Sequence, residues 1–478
     1  MSFAPAITTV PDIKLLVNVG MLHDIPTGTW MRGQKGEMLL CGGLSAFDAQ
    51  TGEGNTFKST IVHERNLTAL DRLTATNRQS SISVYDTEQN IQPKALARLI
   101  RKYGKLMERN IMGSGEFSIA DKTTMYGDEN WKAQIAFIQE VKLKNAKSLY
   151  LETPFLDHNN IPFRTLPITL HFTDSLSKWE TKEYVTKYRD KNIGVSERNT
   201  SNMKRGLDTS SYLEEISIYG PKGMHYESLT AHIGMSNGMA VSGPPGTPPP
   251  KKLSTMKNGQ VLKGGTDNLY YLPHHLYYNQ GSKPALDSNN NPLYARNEYE
   301  LTGRDNTDLY EIKIKQLRSK NGPTNYVIPI ILSQADGVSQ ELTHVNFIRE
   351  NLLKAQSSGS EYYGTTGGNS KFKLCLYPTT FISRNDAYQK LNEDYKLARA
   401  AEITCDLIQM RLMNQYPQLY LHPHELYEKI KEQGLDWNRL LETRGWWTYD
   451  NYDETLLPFL STFDLLEIAH GLKKPFWY

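Results

Sequence analysis

The sequence predicts an α/β protein: a twisted, mostly parallel sheet with helices on both faces, followed by a helical C-terminal domain. Strand-length apolar runs recur at 82–85, 167–172, 229–233, 269–272, 309–314 and 326–332. Helical patterns at 95–107 and 129–141 separate the earlier runs, and strands alternating with helices pack as parallel βαβ units. The later runs follow one another with little helix between them, which predicts an antiparallel edge. Beyond Asp336 the pattern turns helical, at 385–415, 423–433 and 461–472, with Pro423 placed where a first helical turn tolerates it.

These patterns divide the 478 residues into an N-terminal arm over 1–30, an α/β core over 31–340 and an α-rich C-terminal domain over 341–478. Within the core, 143–165 reads as an insertion. Residues 234–265 hold the polyproline-like SGPPGTPPPKK, and 279–305 are rich in Asn, Asp, Gly and Pro, as a mobile hairpin or loop would be.

Apolar residues make up 38% and charged residues 22%, a soluble composition. Lys plus Arg (54) nearly balances Asp plus Glu (52), so any nucleic-acid surface must be local rather than global. The sparse cysteines, Cys41, Cys375 and Cys405, lack metal-ligand spacing and point to a reducing compartment. No basic start followed by an apolar run marks a signal peptide, and no apolar stretch has membrane-spanning length. The expectation is an intracellular protein without a membrane partner.

The first chemical signal is Gly52-Glu53-Gly54-Asn55-Thr56-Phe57-Lys58-Ser59, with Thr60 opening the helix that follows and residues 38–41 read as the strand before it. It matches the phosphate-binding pattern G-x-x-x-x-G-K-[ST], except that Phe57 stands in place of the second glycine. Backbone N–H groups at such a turn point at phosphate oxygens, Lys58 neutralises phosphate charge, and the Ser59 hydroxyl suits Mg²⁺. An ordinary Gly-rich turn is the alternative.

Two acids follow in order. The strand at 82–85 runs into Asp86 and Glu88, and Glu88 at a strand's carboxyl end suits a base that polarises an attacking water. The segment PITLHFTDSLS ends in Asp174, placed to hold Mg²⁺ through water. Solvated acids and a helix N-cap are the plainer readings of each acid alone. His171 and Thr173 share one face of this strand, an oddity for a strand buried on both sides.

The order and wording of these segments resemble the RecA superfamily, most closely its bacteriophage strand-exchange recombinases, over roughly residues 15–340. The resemblance rests on the phenylalanine before Lys58-Ser59, on Tyr85-Asp86-Thr87-Glu88 with Pro93 five residues on, and on Asp174-Ser175-Leu176. Leu229-Thr230-Ala231-His232, Lys263-Gly264-Gly265-Thr266 and YEIKIKQLRSKNGPTNYVIPIIL extend it. It implies a RecA-like P-loop ATPase core with ATP and Mg²⁺ as cofactors. Glu88 is then the base, Lys58 and Ser59 hold phosphate and metal, Asp174 positions Mg²⁺, and His232 senses the γ-phosphate. Lys315 and Arg318 would reach a neighbouring subunit's ATP. Where many relatives stack an aromatic ring on the base, this chain has Ala95.

The resemblance also implies two DNA-binding loops. The first, about 177–206, carries Lys178, Lys182, Arg198, Lys204 and Arg205. The second, 234–265, carries Lys251, Lys252, Lys257 and Lys263. Backbone phosphates need such cations, although a solvated surface loop has the same composition. The implied activity is ATP-dependent strand exchange by a filament on single-stranded DNA, with double-stranded DNA as the second substrate. A recombination mediator or single-strand-binding protein is the implied helper. Phe3-Ala4-Pro5-Ala6 matches a subunit-docking pattern. The DnaB-type replicative helicases, which form hexameric rings, share the KQLR segment and are the rival reading. The pairs His274-His275 and His422/His424 lack a convergent metal set, and Trp446-Trp447 read as packing.

Overall fold

The computed structural model describes residues 30–32, 38–40, 47–73, 80–156, 162–189, 195–236, 250–264, 266–303, 306–319, 324–358, 363–366, 371–412, 417–446 and 457–477. The Phe3–Ala6 docking pattern, Cys41, Gly265, most of the polyproline-like stretch and Trp447 lie outside the described residues, as does the side chain of Arg198.

In chain order the strands are β1 (Trp30–Arg32), β2 (Met38–Leu40), β3 (Phe47–Gly52), β4 (Ser81–Asp86), β5 (Phe117–Asp121), β6 (Leu151–Leu156), β7 (Pro162–Thr165) and β8 (Thr169–Asp174). They continue as β9 (His225–Met235), β10 (Gln260–Lys263), β11 (His275–Pro284), β12 (Leu309–Ser319), β13 (Val327–Ser333) and β14 (Gly337–Val338). A small C-terminal set follows, β15 (Gly364–Thr366), β16 (Phe372–Leu374) and β17 (Tyr377–Ile382).

The main sheet has the order β14-β13-β12-β11-β3-β9-β8-β4-β5, with β10 added on β9. From β11 through β3, β9, β8 and β4 to β5 every pairing is parallel, whereas β11 to β14 pair antiparallel. The expected mixed sheet with its antiparallel edge is therefore present. Along β4 the side chains alternate. Ile82 and Val84 join one apolar cluster with Ile61, Val62, Leu170 and Phe172, while Tyr85 joins a second with Phe47, Ile138, Leu213 and Leu229. Helix α1 (Lys58–Leu73) supplies the first face. Helices α2 (Gly127–Ala136) and α3 (Val195–Lys222) pack on the second.

Several local expectations are corrected. The strand feeding the Gly52–Ser59 loop is β3 rather than residues 38–41, of which 38–40 pair with β1 in a separate antiparallel ladder. Its sequence, FDAQTG, looks polar, yet all six residues are buried. Asp48 lies 3.6 Å from the buried Arg65 and 3.1 Å from His275, and these pairings stand in for the apolar run a central strand normally shows.

Residues 268–271 form a helical turn, not a strand. Leu269 and Tyr270 are buried there, the Tyr270 hydroxyl accepts from Leu262 N at 2.7 Å, and the slot beside β3 is taken by β11. The helix expected over 95–107 breaks after Ile100. Lys102 turns inward to Glu64 (2.6 Å) and the Val338 carbonyl (2.7 Å), and Tyr103 bonds Thr68.

The proposed first DNA loop is mostly helical: Lys182–Arg189 and then α3. Residues 279–305 continue β11 and end in the helical turn Glu298–Thr302, and the 143–165 insertion holds the β6-β7 hairpin. Past β14, helix α4 (Gln340–Ser358) packs on β13 and on the helix Tyr395–Leu412. The expected C-terminal helices Pro423–Glu432 and Thr462–Ala469 are present, and the β15-β16-β17 sheet was not expected.

Candidate functional site

Helix α1 begins at Lys58, immediately after the turn from β3, and its first N–H groups have no carbonyl within the helix to bond. Those groups and the positive end of the helix dipole open into a cleft of about 700 Å³. Gly54, Asn55, Thr56, Phe57, Lys58, Ser59 and Thr60 line one wall; Glu88, Asp174 and His232 line the other. These side chains come from the carboxyl ends of β3, β4, β8 and β9, which the parallel register brings level, with Asp86 opposite Asp174 and Gly52 opposite His232.

The turn itself is held by short bonds. Lys58 Nζ donates to the Glu53 carbonyl at 2.6 Å, and Thr56 Oγ1 donates to the same oxygen at 2.9 Å. Gly52 has no room for a side chain, since a Cβ there would lie 2.6 Å from Thr56 Oγ1 and 3.1 Å from the Asn279 Cβ. Asn279 Nδ2 donates to the Thr56 carbonyl at 2.6 Å, while Gln50 Nε2 donates to Asn279 Oδ1 at 2.5 Å.

Phe57 adopts φ 58°, the left-handed region that a glycine at this position enters freely. Its ring packs against Tyr310, with centroids 5.4 Å apart, which opposes the cost of that backbone conformation.

Across the cleft, Ser59 Oγ donates to Asp174 Oδ1 at 2.8 Å, and Thr230 Oγ1 donates to the same oxygen at 2.6 Å. The Thr230 hydroxyl also accepts from Ser175 N at 2.6 Å, and Thr87 Oγ1 donates to the Asp174 carbonyl at 2.6 Å. Burial raises the Asp174 carboxyl pKa against these two side-chain bonds. Burial likewise lowers the Lys58 ammonium, opposed by Asp174 and Glu88. Glu88 Oε1 lies 3.8 Å from His232 Nε2, and burial followed by the charge of Lys58 holds that imidazole below its ordinary value. A cation, a helix N-terminus and a hydroxyl bonded to a carboxylate, with Glu88 lining the same cleft, form a donor set that a magnesium-bound phosphate chain would fit.

Other sequence-derived residues fall elsewhere. Lys315 and Arg318 do not line the cleft; their side chains donate to the carbonyls of Thr255 (2.8 Å) and Pro273. Among the cations of the expected first DNA loop, Arg205 donates to Trp179 O (2.9 Å) and Ser177 O (2.7 Å) and covers the Tyr184 ring. Lys204 pairs with Glu183, and Lys182 with Glu129 (3.2 Å). Lys178 is exposed. In the second segment Lys252 pairs with Asp267 (3.1 Å), Lys251 bonds Ser254 O (3.2 Å), and Lys257 and Lys263 are exposed.

Thr230, Thr87 and Tyr310 fall inside the quoted motifs but were given no role by the sequence, and Gln50 and Asn279 left no signal in it. No family model matches the chain, and no curated protein matches it.

Proposed function

We propose that the chain is a DNA-dependent ATPase, and within that class a strand-exchange recombinase that assembles on single-stranded DNA. The reading is supported above all by the convergence of Lys58, Ser59, Glu88, Asp174 and His232 on one cleft at the helix N-terminus. Magnesium bound there supplies neutralisation of phosphate charge. The turn N–H groups and Lys58 bind the phosphates. Ser59 and Asp174 are the residues that would hold the metal. Glu88 takes a proton from the attacking water, and its distance from His232 lets that imidazole respond to what occupies the cleft.

Lys315 and Arg318, turned away from the chain's own cleft, act on the nucleotide of a neighbouring subunit in this reading, so the active unit is a homo-oligomer. Double-stranded DNA is the partner in exchange, and a mediator or single-strand-binding protein assists loading.

Phosphate release measured with and without single-stranded DNA tests the activity. Stimulation by DNA is expected, and Lys58→Ala should abolish it; an unstimulated or Lys58-independent rate ends the reading. Electron microscopy with single-stranded DNA and a non-hydrolysable ATP analogue tests the class. Helical filaments are expected. Closed six-fold rings would instead indicate a DnaB-like helicase.

A further inference from the structure

The face of the main sheet that looks toward α2 carries an unusual band of polar side chains. In one row across the strands, Ser118, Ser83, His171 and Glu227 are register partners; in the next, Ser81, Thr169 and His225 are. A sheet face under helices is normally apolar, and the opposite side of the same strands obeys that rule with Ile82, Val84, Leu170 and Phe172. The oddity of His171 and Thr173 in the sequence is one edge of this band.

The band does not close up on itself. Between the sheet and α2 lies a cavity of about 420 Å³, within the usual size of small-ligand sites. Its mouth is at Ser118, Ile119 and Ala133, and its inner wall is formed by Phe137, His171 and His225. Phe137 opens a π-helical segment, Phe137–Leu143, a distortion that often marks functional sites. That segment also carries Lys142, whose ammonium is occupied by Pro167 O (2.7 Å), Thr169 Oγ1 (2.9 Å) and Met224 O (3.2 Å).

His225 is satisfied, with Nδ1 2.9 Å from Thr169 Oγ1 and Nε2 3.3 Å from Gln134 Oε1. His171 is not. Its ring is fully buried and lines the cavity, its Nδ1 meets Ser83 Oγ at 2.7 Å, and its Nε2 has no hydrogen-bond partner among the described residues. An unpartnered buried ring nitrogen costs free energy until something bonds it. Because the Ser83 hydroxyl can donate or accept, Nε2 can present either a lone pair or an N–H.

Among the described residues no Lys, Arg, Asp or Glu lines the cavity. Burial lowers the pKa of both imidazoles and so keeps them neutral, and the Lys142 ammonium bonded to Thr169 is already held by three oxygens. Phe137, Met125 and Ile119 offer flat or apolar contact, and Ser81, Ser118 and the His171 Nε2 offer polar groups, while the Asn130 and Gln134 amides are bonded to one another (2.7 Å), with Gln134 also bonded to His225.

We propose that this cavity binds a small, uncharged, planar ring carrying amide-type donor and acceptor groups, of which a pyrimidine base is the simplest example. Binding is independent of turnover at the Lys58 cleft, so the proposal stands or falls apart from the ATPase reading. The two sites share strands: Ser83 and His171 lie three residues before Asp86 and Asp174 in the same register.

Titration of the full chain with 5-fluorouracil, followed by ¹⁹F NMR, tests it. Saturable binding is expected. Ala133→Phe and Ser118→Leu, two exposed positions at the mouth, should each weaken it about ten-fold or more by filling the entrance while the circular dichroism spectrum is retained. Orotate, a charged pyrimidine of similar shape, should bind at least about ten-fold more weakly, since its carboxylate loses its hydration and meets no free cation in the lining. Absence of saturation, undiminished binding by either folded variant, or equal affinity for orotate would each overturn the proposal.

Discussion

Phe57 and Tyr310 hold one another in place: the ring of a residue forced to φ 58° rests 5.4 Å from the ring of a residue on β12. The contact joins the Gly52–Ser59 turn to the antiparallel half of the sheet. It explains how an aromatic residue occupies a backbone position suited to glycine.

Substitutions at Phe57 should therefore separate ring from backbone. Phe57→Ala keeps the strained φ and loses the ring contact, whereas Phe57→Gly loses the ring but relieves the strain. Left-handed backbone costs a residue with a Cβ about 1 kcal/mol. The alanine variant should be the less stable of the two by roughly that amount in urea unfolding, and the reverse order would show that the backbone at this position carries no strain.

Thr230→Val removes the hydroxyl shared by Asp174 and the Ser175 N–H, both buried. A destabilisation of about 1–3 kcal/mol is expected from the orphaned N–H, and Thr230→Ser should restore most of it. The lost bond also lets the Asp174 pKa, already raised by burial, climb further. If Asp174 must be ionised for ATP hydrolysis, the acid limb of the pH–rate profile moves to higher pH in the valine variant.

Glu227 is fully buried beneath Tyr212 and Thr173, and burial pushes its carboxyl up to about 8. A carboxyl whose folded pKa exceeds its unfolded value contributes stability that is complete below the unfolded pKa and is lost as pH rises through the folded one. Wild type and Glu227→Gln should be similar in stability near pH 4.5. Toward about pH 8 the wild type should fall behind by up to about 1.4 kcal/mol per pH unit. Parallel stability curves across that range would contradict a protonated Glu227.

Arg205 offers a direct choice between roles. Its guanidinium bonds two carbonyls of the 177–179 turn, so Arg205→Ala should cost stability, about 1–3 kcal/mol, whether or not DNA is present. A residue whose task is a phosphate contact would instead reduce the salt dependence of DNA affinity by about one unit of slope. Measured together, unfolding and salt-dependent DNA binding assign the residue.

The sequence showed most clearly those parts of the fold whose local pattern agrees with their environment. Apolar runs in the sequence marked β4, β8, β9 and β13, and Glu88 and Asp174 fall at the ends of two of them in the expected order, whereas Lys58 follows β3. Strand β3 was misplaced because its buried polar residues, Asp48 and Gln50, find partners in Arg65 and Asn279, far away in sequence. The same reason hid Asn279 and Tyr310 from the site. Residues 268–271 carry a strand-like apolar composition, and only the prior claim of β11 on the neighbouring slot makes them a helical turn. Residues 177–206 carry the charge of a DNA loop, yet much of the segment is helical, with Lys182 paired to Glu129, Lys204 to Glu183 and Arg205 bonded to carbonyls of the 177–179 turn, while Lys178 is exposed.

Strand β10 bonds only to the end of β9, placing Lys263 opposite His232, and the Ser236 N–H closes the far end of that ladder on the Gly259 carbonyl at 2.6 Å. The backbone of β10 is thus tied, residue for residue, to the strand that carries the imidazole facing Glu88. A displacement of Gln260–Lys263 would therefore be handed to His232 through paired backbone rather than through a side chain.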